Sequence, residues 1–297
     1  MSQYICVDIG GTSIKHGVLD ENAIIKECNQ TKTEAWLGGA AVLDKVKTIG
    51  KQYKEQYENI EGICISTAGM VDPEEGKIVF AGELMPDYTG TCIKKELEKA
   101  LEMPCEVEND VNCAGLAEYV SGSAKESHIM FCATVGTGIG GCAIVNGRVF
   151  HGASNSACEV GYIPMGDSDF QTLGASSILV RKVAEKKIEP LDMWDGKKIF
   201  ALAEKGDKVC ISAIKEMCDV LGKGLATICY VLNPDTIVLG GGIMVQKKIL
   251  ENEIRDSLNR YLRPILAEHL QVCFAEYGDE AGMVGALYNF QNKYGRK

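Results

Sequence analysis

The sequence predicts an α/β protein built from two related lobes, and three observations carry that reading. An apolar run at residues 4–9 ends in a glycine turn, Asp8-Ile9-Gly10-Gly11-Thr12, and returns as a second strand at 13–19. The same order of strand, glycine turn, strand, turn and strand recurs from residue 129, through Thr134-Val135-Gly136-Thr137-Gly138, which reads as an internal duplication. Around both copies, buried strands alternate with segments of helical periodicity.

In chain order, 4–9, 13–19 and 23–27 read as a β-meander. Residues 38–57 read as a helix with Ala41, Val42, Val46, Ile49 and Tyr53 along one face. A strand follows at 60–66. Residues 91–102 form an amphipathic helix with Ile93, Leu97 and Leu101 one turn apart, and Pro104 ends it. A strand at 105–108 leads into a helix at 111–120. In the second copy, 129–135 and 142–145 are strands, Asn146-Gly147 is a tight hairpin turn, and 149–151 follows. Residues 166–206 are mixed helix and loop, with 176–186 helical. Then come a long helix at 210–232, a strand at 236–239 running into Gly240-Gly241-Gly242, a helix at 247–258, a strand at 272–274 and a closing helix from 280. The lobes are expected at 1–112 and 113–279, with the closing helix, about 280–297, packing back on the first.

The chain has 297 residues, 46% of them apolar and 24% charged, ordinary values for a soluble globular protein. Its net charge of −10 argues against nucleic-acid and anionic-membrane partners. No run approaches the ~18 apolar residues of a membrane span. Thirteen irregularly spaced cysteines, most in apolar runs, read as reduced buried hydrophobes in a cytoplasmic protein.

Five segments carry chemistry. In Asp8-Ile9-Gly10-Gly11-Thr12-Ser13-Ile14-Lys15, glycines let backbone N–H groups approach phosphate oxygens. The Thr12 and Ser13 hydroxyls add donors, Lys15 adds charge, and Asp8 at a strand end suits Mg²⁺. A plain hairpin turn explains Gly-Gly alone; the flanking Asp and Thr and the second copy favour phosphate binding. Gly136-Thr137-Gly138-Ile139-Gly140-Gly141 has a dinucleotide-like spacing but opens a strand, not the helix such a fold needs. Glu108-Asn109-Asp110 begins a helix, where capping alone accounts for Asn and Asp; the same position favours an ionised carboxylate, which suits a base for a hydroxyl proton. Glu159, between Cys158 and Val160, is a surface glutamate or an acceptor of two sugar hydroxyls. Gly240-Gly241-Gly242 is a turn, or a flat surface for adenine.

These motifs, with Glu159-x-Gly161 and Ala281-Gly282-x-x-Gly285-Ala286, follow the order of the ROK family of sugar kinases and repressors, which the chain resembles from residue 4 to 290. The resemblance implies an actin-like ATPase (ribonuclease H-like) fold with ATP in an interlobe cleft that closes to exclude water. It implies Asp110 as catalytic base and Asn109 and Glu159 as sugar ligands. Gly10, Gly11, Thr12, Gly136, Thr137, Gly138, Gly240 and Gly241 would hold the nucleotide, with Asp8 and Lys15, and the protein would be a homodimer.

Departures bear on specificity. The family's zinc motif, Cys-x-Cys-Gly-x-x-Gly-Cys, is missing, since no cysteine lies between Cys158 and Cys210. Tyr162 stands where the family has His, Gln171 falls near its second sugar glutamate, and Ala68-Gly69 replaces Pro-Gly beside the sugar. Missing zinc together with Tyr162 resembles the bacterial β-glucoside kinase branch. The expected activity is MgATP-dependent phosphorylation of the 6-hydroxyl of a hexose or cellobiose-like β-glucoside, with N-acetylmannosamine kinase and glucokinase as alternatives. A sugar-sensing repressor needs a helix-turn-helix before the ATPase-like region, and three residues precede the first strand.

Overall fold

The computed structural model describes residues 2–294. By internal packing the chain forms two units. Unit 1 comprises the chain to Gly122, the short return His151–Ala157, and the chain from Asp279; unit 2 comprises Ser123–Phe150 and Cys158–Gly278.

Unit 1 opens with the antiparallel meander β1 (Gln3–Ile9), β2 (Ser13–Asp20) and β3 (Ile25–Lys32). After α1 (Gly39–Gln56), β4 (Ile60–Thr67) lies parallel to β1. A small hairpin, β5 (Met70–Asp72) and β6 (Lys77–Phe80), precedes α2 (Ile93–Leu101). Strand β7 (Cys105–Asn109) lies parallel to β4, and α3 (Asp110–Val120) follows at once. The sheet order is β3-β2-β1-β4-β7.

Side chains alternate across a strand, and β1 uses both faces. Ile5, Val7 and Ile9 join Ile63, Ile65 and Val107 against Val42, Val46 and Ile49 of α1 and Ile93, Leu97 and Leu101 of α2. On the opposite face Tyr4 meets Phe290, with ring centroids 5.5 Å apart. A sheet covered on both faces has near-continuous apolar strands, which is why these strands read as short apolar runs.

Unit 2 repeats the plan. Strands β8 (Ile129–Val135), β9 (Ile139–Val145) and β10 (Arg148–Val149) form the meander. A two-residue pairing, β11 (Pro164–Met165) with β12 (Ser168–Asp169), leads into α4 (Phe170–Gly174), α5 (Ser176–Lys187), α6 (Gly196–Glu204) and α7 (Lys208–Leu232). Strand β13 (Thr236–Gly240) lies parallel to β8; α8 (Lys247–Tyr261), α9 (Pro264–Ala267) and β14 (Gln271–Phe274) complete the unit. The order β10-β9-β8-β13-β14 matches unit 1 strand for strand. Both are the ribonuclease H-like arrangement, and two such units make the actin-like ATPase fold. The final helix, α10 (Ala281–Tyr294), packs on α3, β1 and β4 of unit 1; residues 295–297 of the expected closing helix lie outside the described residues.

Several elements differ from the sequence expectations, among them β9, which begins at Ile139 rather than Cys142. The third strand starts at Ile25 and reaches Lys32, not 23–27. Ala23 is in a left-handed turn (φ 61°), where Asp20 Oδ1 accepts the N–H groups of Asn22 and Ile24. The polar stretch beyond Glu27 is held by pairing with β2, from Ser13↔Lys32 onward, which no apolar pattern announces. The strand expected at 149–151 stops at Val149, because His151 departs to unit 1. The β5–β6 hairpin lacks a periodic signal. Among the described residues no helix is long and apolar enough to cross a membrane.

Helices α3 and α10 cross in backbone contact: a Cβ on Gly285 would land on the Cys113 carbonyl. Overpacking at a rigid backbone contact costs about 1–3 kcal/mol, and each kcal/mol moves Tm by about 2–4 °C in a unit of this size. Gly285→Val should therefore lower Tm by about 5 °C in a calorimetric scan. Gly278→Ala, with open space at its Cβ, should leave it unchanged.

Candidate functional site

In unit 1 the carboxyl ends of three parallel strands bring the predicted residues together. The register aligns Asp8, Ser66 and Glu108 in one row and Ile9, Thr67 and Asn109 in the next. Ligands of open α/β sheets sit beyond this edge. The Ser66 hydroxyl donates to Asp8 Oδ1 at 2.6 Å. Gly282, in the first turn of α10, has no room for a Cβ because the Asp8 carboxyl occupies it. Burial pushes the Asp8 carboxyl above its ordinary pKa, against the Ser66 hydrogen bond and the Lys15 charge.

Lys15 lies opposite Asp8 across the β1–β2 pair. Its ammonium is 3.0 Å from Asp279 Oδ1 and donates to the Asp279 carbonyl at 3.1 Å. These two contacts tie Lys15 to the loop before α10. The turn between the strands is braced by Thr33, whose hydroxyl donates to the Gly10 carbonyl at 2.6 Å. Gly11 and Thr12 are exposed at its tip.

Asn109 takes the cap that sequence alone also allowed for Asp110. Its Oδ1 accepts the N–H groups of Val111 (2.9 Å) and Asn112 (3.1 Å). Its Nδ2 donates to the Gly69 carbonyl (2.9 Å) and to Asp110 Oδ1 (3.0 Å). Gly69 has φ +98°, and a Cβ there would sit 2.9 Å from the Phe80 carbonyl. Only glycine meets both demands.

Asp110 is the first residue of α3. Its Oδ1 also accepts the Val111 N–H at 2.9 Å, while Oδ2 has no donor from another of the described residues. The side chain is recessed yet reachable by solvent. Burial, then the charge of Asp8, raise its pKa to about 7, against the helix N–H groups and Asn109. Tyr88 bonds to Thr67 at 2.8 Å, and its pKa is raised by burial and by Asp110.

Sequence reasoning did not give Glu108 or His151 a role. Glu108 is fully buried and bonds to His151 Nε2 at 2.7 Å. That bond holds the His151 pKa above its usual value, against partial burial. Histidine 151 carried no motif, and only the return of residues 151–157 to unit 1 brings it here.

In unit 2 the glycine turn after β8 is anchored through its carbonyls. Gly136 accepts from the Ser176 N–H (2.9 Å) and hydroxyl (2.7 Å), and Thr137 from the Ser177 hydroxyl (2.7 Å). Gly136, Thr137, the start of α5, the start of α6 and Gly242 enclose a cavity of about 550 Å³. Gly240 and Gly241 lie directly before Gly242, at the end of β13 and just beyond it. Gly241 has φ +95° and lies on the Val135 backbone. Ser176, Ser177, Lys197 and Phe200 were missed; the Asp195 cap on the Lys198 N–H (2.7 Å) was the available signal.

Gln171 is wedged between two glycines: its Oε1 lies 2.7 Å from a Cβ built on Gly138 and 2.9 Å from one on Gly161. Gln171, Gly138 and the Glu159–Gly161 segment are thus neighbours. Glu159 is exposed, has no side-chain partner among the described residues, and partial burial raises its pKa. Tyr162 is 57% exposed. No cluster of three or more His, Cys, Asp or Glu suited to a metal occurs among the described residues.

The raised Asp110 pKa has a consequence for stability. A carboxyl whose pKa is higher folded than unfolded contributes stability at low pH that is lost as pH rises through the folded value. That window runs from 3.8 to about 7. Asp110→Asn keeps the acceptor oxygen without the charge. Its Tm should exceed the parent's by several degrees at pH 8, and the difference should shrink towards pH 5; an equal difference at both pH values contradicts the burial argument.

The ROK family profile matches residues 4–293. A Klebsiella pneumoniae beta-glucoside kinase is 30% identical over 97% of this chain and 95% of its own. Among solved structures, a Listeria monocytogenes protein proposed to be an N-acetylmannosamine kinase superposes with TM-score 0.88 at 28% identity, covering 98% of this chain and 99% of that one. A Streptomyces griseus ROK glucokinase, solved with glucose and AMPPNP, gives 0.83 at 28% identity, covering 97% and 98%. With these likenesses along nearly the whole chain, and the duplicated unit with its glycine turns beneath them, the protein belongs to the ROK family.

Proposed function

We propose that this protein is an ATP-dependent sugar kinase that phosphorylates the 6-hydroxyl of a hexose or β-glucoside, with Asp110 as base. The observation that carries this is Asp110 itself: one oxygen is fixed by the α3 N-terminus and Asn109, and the other has no donor from another of the described residues. A free carboxylate oxygen near neutral pKa can accept a hydroxyl proton as the hydroxyl attacks phosphorus. Tyr88 and Asn109 hold its surroundings in place, so no reorganisation is needed at the moment of reaction.

For the nucleotide, the 550 Å³ cavity of unit 2 is within the size range of cofactor sites. Its glycine walls suit a flat base lying on backbone. The Gly136–Gly138 turn has its carbonyls tied down by α5, and its N–H groups would serve the phosphates, as would those of Gly10, Gly11 and Thr12 in unit 1. Mg²⁺ fits the chemistry of unit 1, where Asp8 and Asp110 repel each other and Lys15 is engaged by Asp279. Asp8 would hold the ion through water or a phosphate oxygen, and the ion would offset phosphate charge.

For the sugar, Glu159 offers a carboxylate with no side-chain partner among the described residues, while the Asn109 amide, already bonded to Val111, Asn112, Gly69 and Asp110, serves the acceptor by holding the base in place. The exposed face of Tyr162 suits a second ring or an aglycone, which favours β-glucosides among the acceptors named for the relatives. We read the protein as a cytoplasmic homodimer on the family resemblance.

An assay coupled to ADP with glucose, N-acetylmannosamine, cellobiose and gentiobiose tests the reading. Sugar-dependent ADP release, strongest with a β-glucoside, is expected. Asp110→Asn should lower kcat by about 10²–10⁴-fold with sugar binding largely kept. Near-parent turnover in that variant, or ADP release indifferent to sugar, would sink it.

A further inference from the structure

The return His151–Ala157 brings one side chain to the base of the acceptor site. Glu108, with 1% of its side chain exposed, divides its two oxygens between two tasks. Its Oε1 accepts the Asn109 N–H at 2.8 Å and Asn112 Nδ2 at 2.9 Å, across the first turn of α3. Its Oε2 accepts from His151 Nε2 at 2.7 Å and from no other described residue. The His151 carbonyl in turn accepts the Ala157 N–H at 3.0 Å, closing the return into a loop. Glu159 follows two residues after Ala157.

We propose that His151 is a positioning residue for the acceptor site, fixing the Asn109–Asp110 turn through Glu108. This rests on the kinase reading for its catalytic meaning, though not for its geometry. A buried carboxylate oxygen stripped of its donor is costly. The Glu108 side chain then rotates towards other donors and releases the Asn109 N–H and Asn112. Asn109 bridges the Gly69 carbonyl and Asp110 Oδ1, so its displacement passes directly to the base. Histidine suits the task because its ring places Nε2 at a fixed distance and direction. Glutamine carries an amide nitrogen to nearly the same point; asparagine is too short to reach it.

The test compares His151→Asn with His151→Gln in the full chain. Amide hydrogen exchange at residues 109–113 should speed up about tenfold or more in His151→Asn, as expected for losing a buried charge-assisted hydrogen bond. It should stay near the parent rate in His151→Gln. With the best sugar of the panel, His151→Asn should lower kcat about tenfold or more and raise the sugar KM, while the ATP KM moves less than about twofold. His151→Gln should recover most of both. Parent-like exchange in His151→Asn overturns the positioning role. Loosened exchange with parent kinetics overturns its catalytic meaning, and equal losses in both variants overturn the specific donor. Should the parent release no ADP with any sugar, the kinase reading falls, while the exchange measurement still decides the geometry.

Discussion

Two carboxylates, Asp8 and Asp110, are held at the carboxyl edge of the unit 1 sheet with too little positive charge to balance them. Lys15, whose charge reaches Asp8, is bound to Asp279. The Ser66 hydroxyl, the α3 N–H groups and Asn109 relieve part of the cost, and burial still dominates. Folding leaves this imbalance in place because the β-strand order puts β1, β4 and β7 side by side and ends them together. The surrounding packing follows from it: glycines at 69 and 282 make room, Tyr88 closes one side, and Glu108 ties the turn from below. An imbalance of this kind is relieved by a bound cation or by protonation of one carboxyl, and both suit the phosphoryl transfer proposed above.

Unit 2 uses the same sheet for a different purpose. At the matching edge Thr134 and Val135 stand where unit 1 has Asp8 and Ile9, before the Gly136 turn, so the carboxylate is replaced by a hydroxyl. The unit 2 helices instead pin the turn by its carbonyls and line a cavity whose charged residues, Asp195 and Lys197, are of opposite sign. Duplication supplied one frame twice, and side chains at one strand edge then diverged towards charge in one copy and towards backbone binding in the other. Gln171, seated against both Gly138 and Gly161, links that turn to the Glu159 segment within the same unit.

Much of this was legible in the chain. The apolar runs and glycine turns announced both sheets, since strands buried on both faces are near-continuously apolar and glycine is a common turn residue. Asp110 was singled out through its place after a strand, and the cap there is Asn109. The unread parts share a physical cause. The β3 extension is an edge held by backbone pairing, α6 is a short helix marked only by the Asp195 cap, and the β5–β6 hairpin is too brief for periodicity. His151 was invisible because its partner is 43 residues away, and only tertiary structure joins them.

The pH dependence of kcat/KM for the sugar tests the central claim most directly, because it reports the ionisation of the base before substrate binds. The account predicts an acid limb of unit slope with an apparent pKa well above the ordinary carboxylate range, towards the value of about 7 set by burial and Asp8. A profile that stays flat from pH 8 down to pH 5 would contradict it.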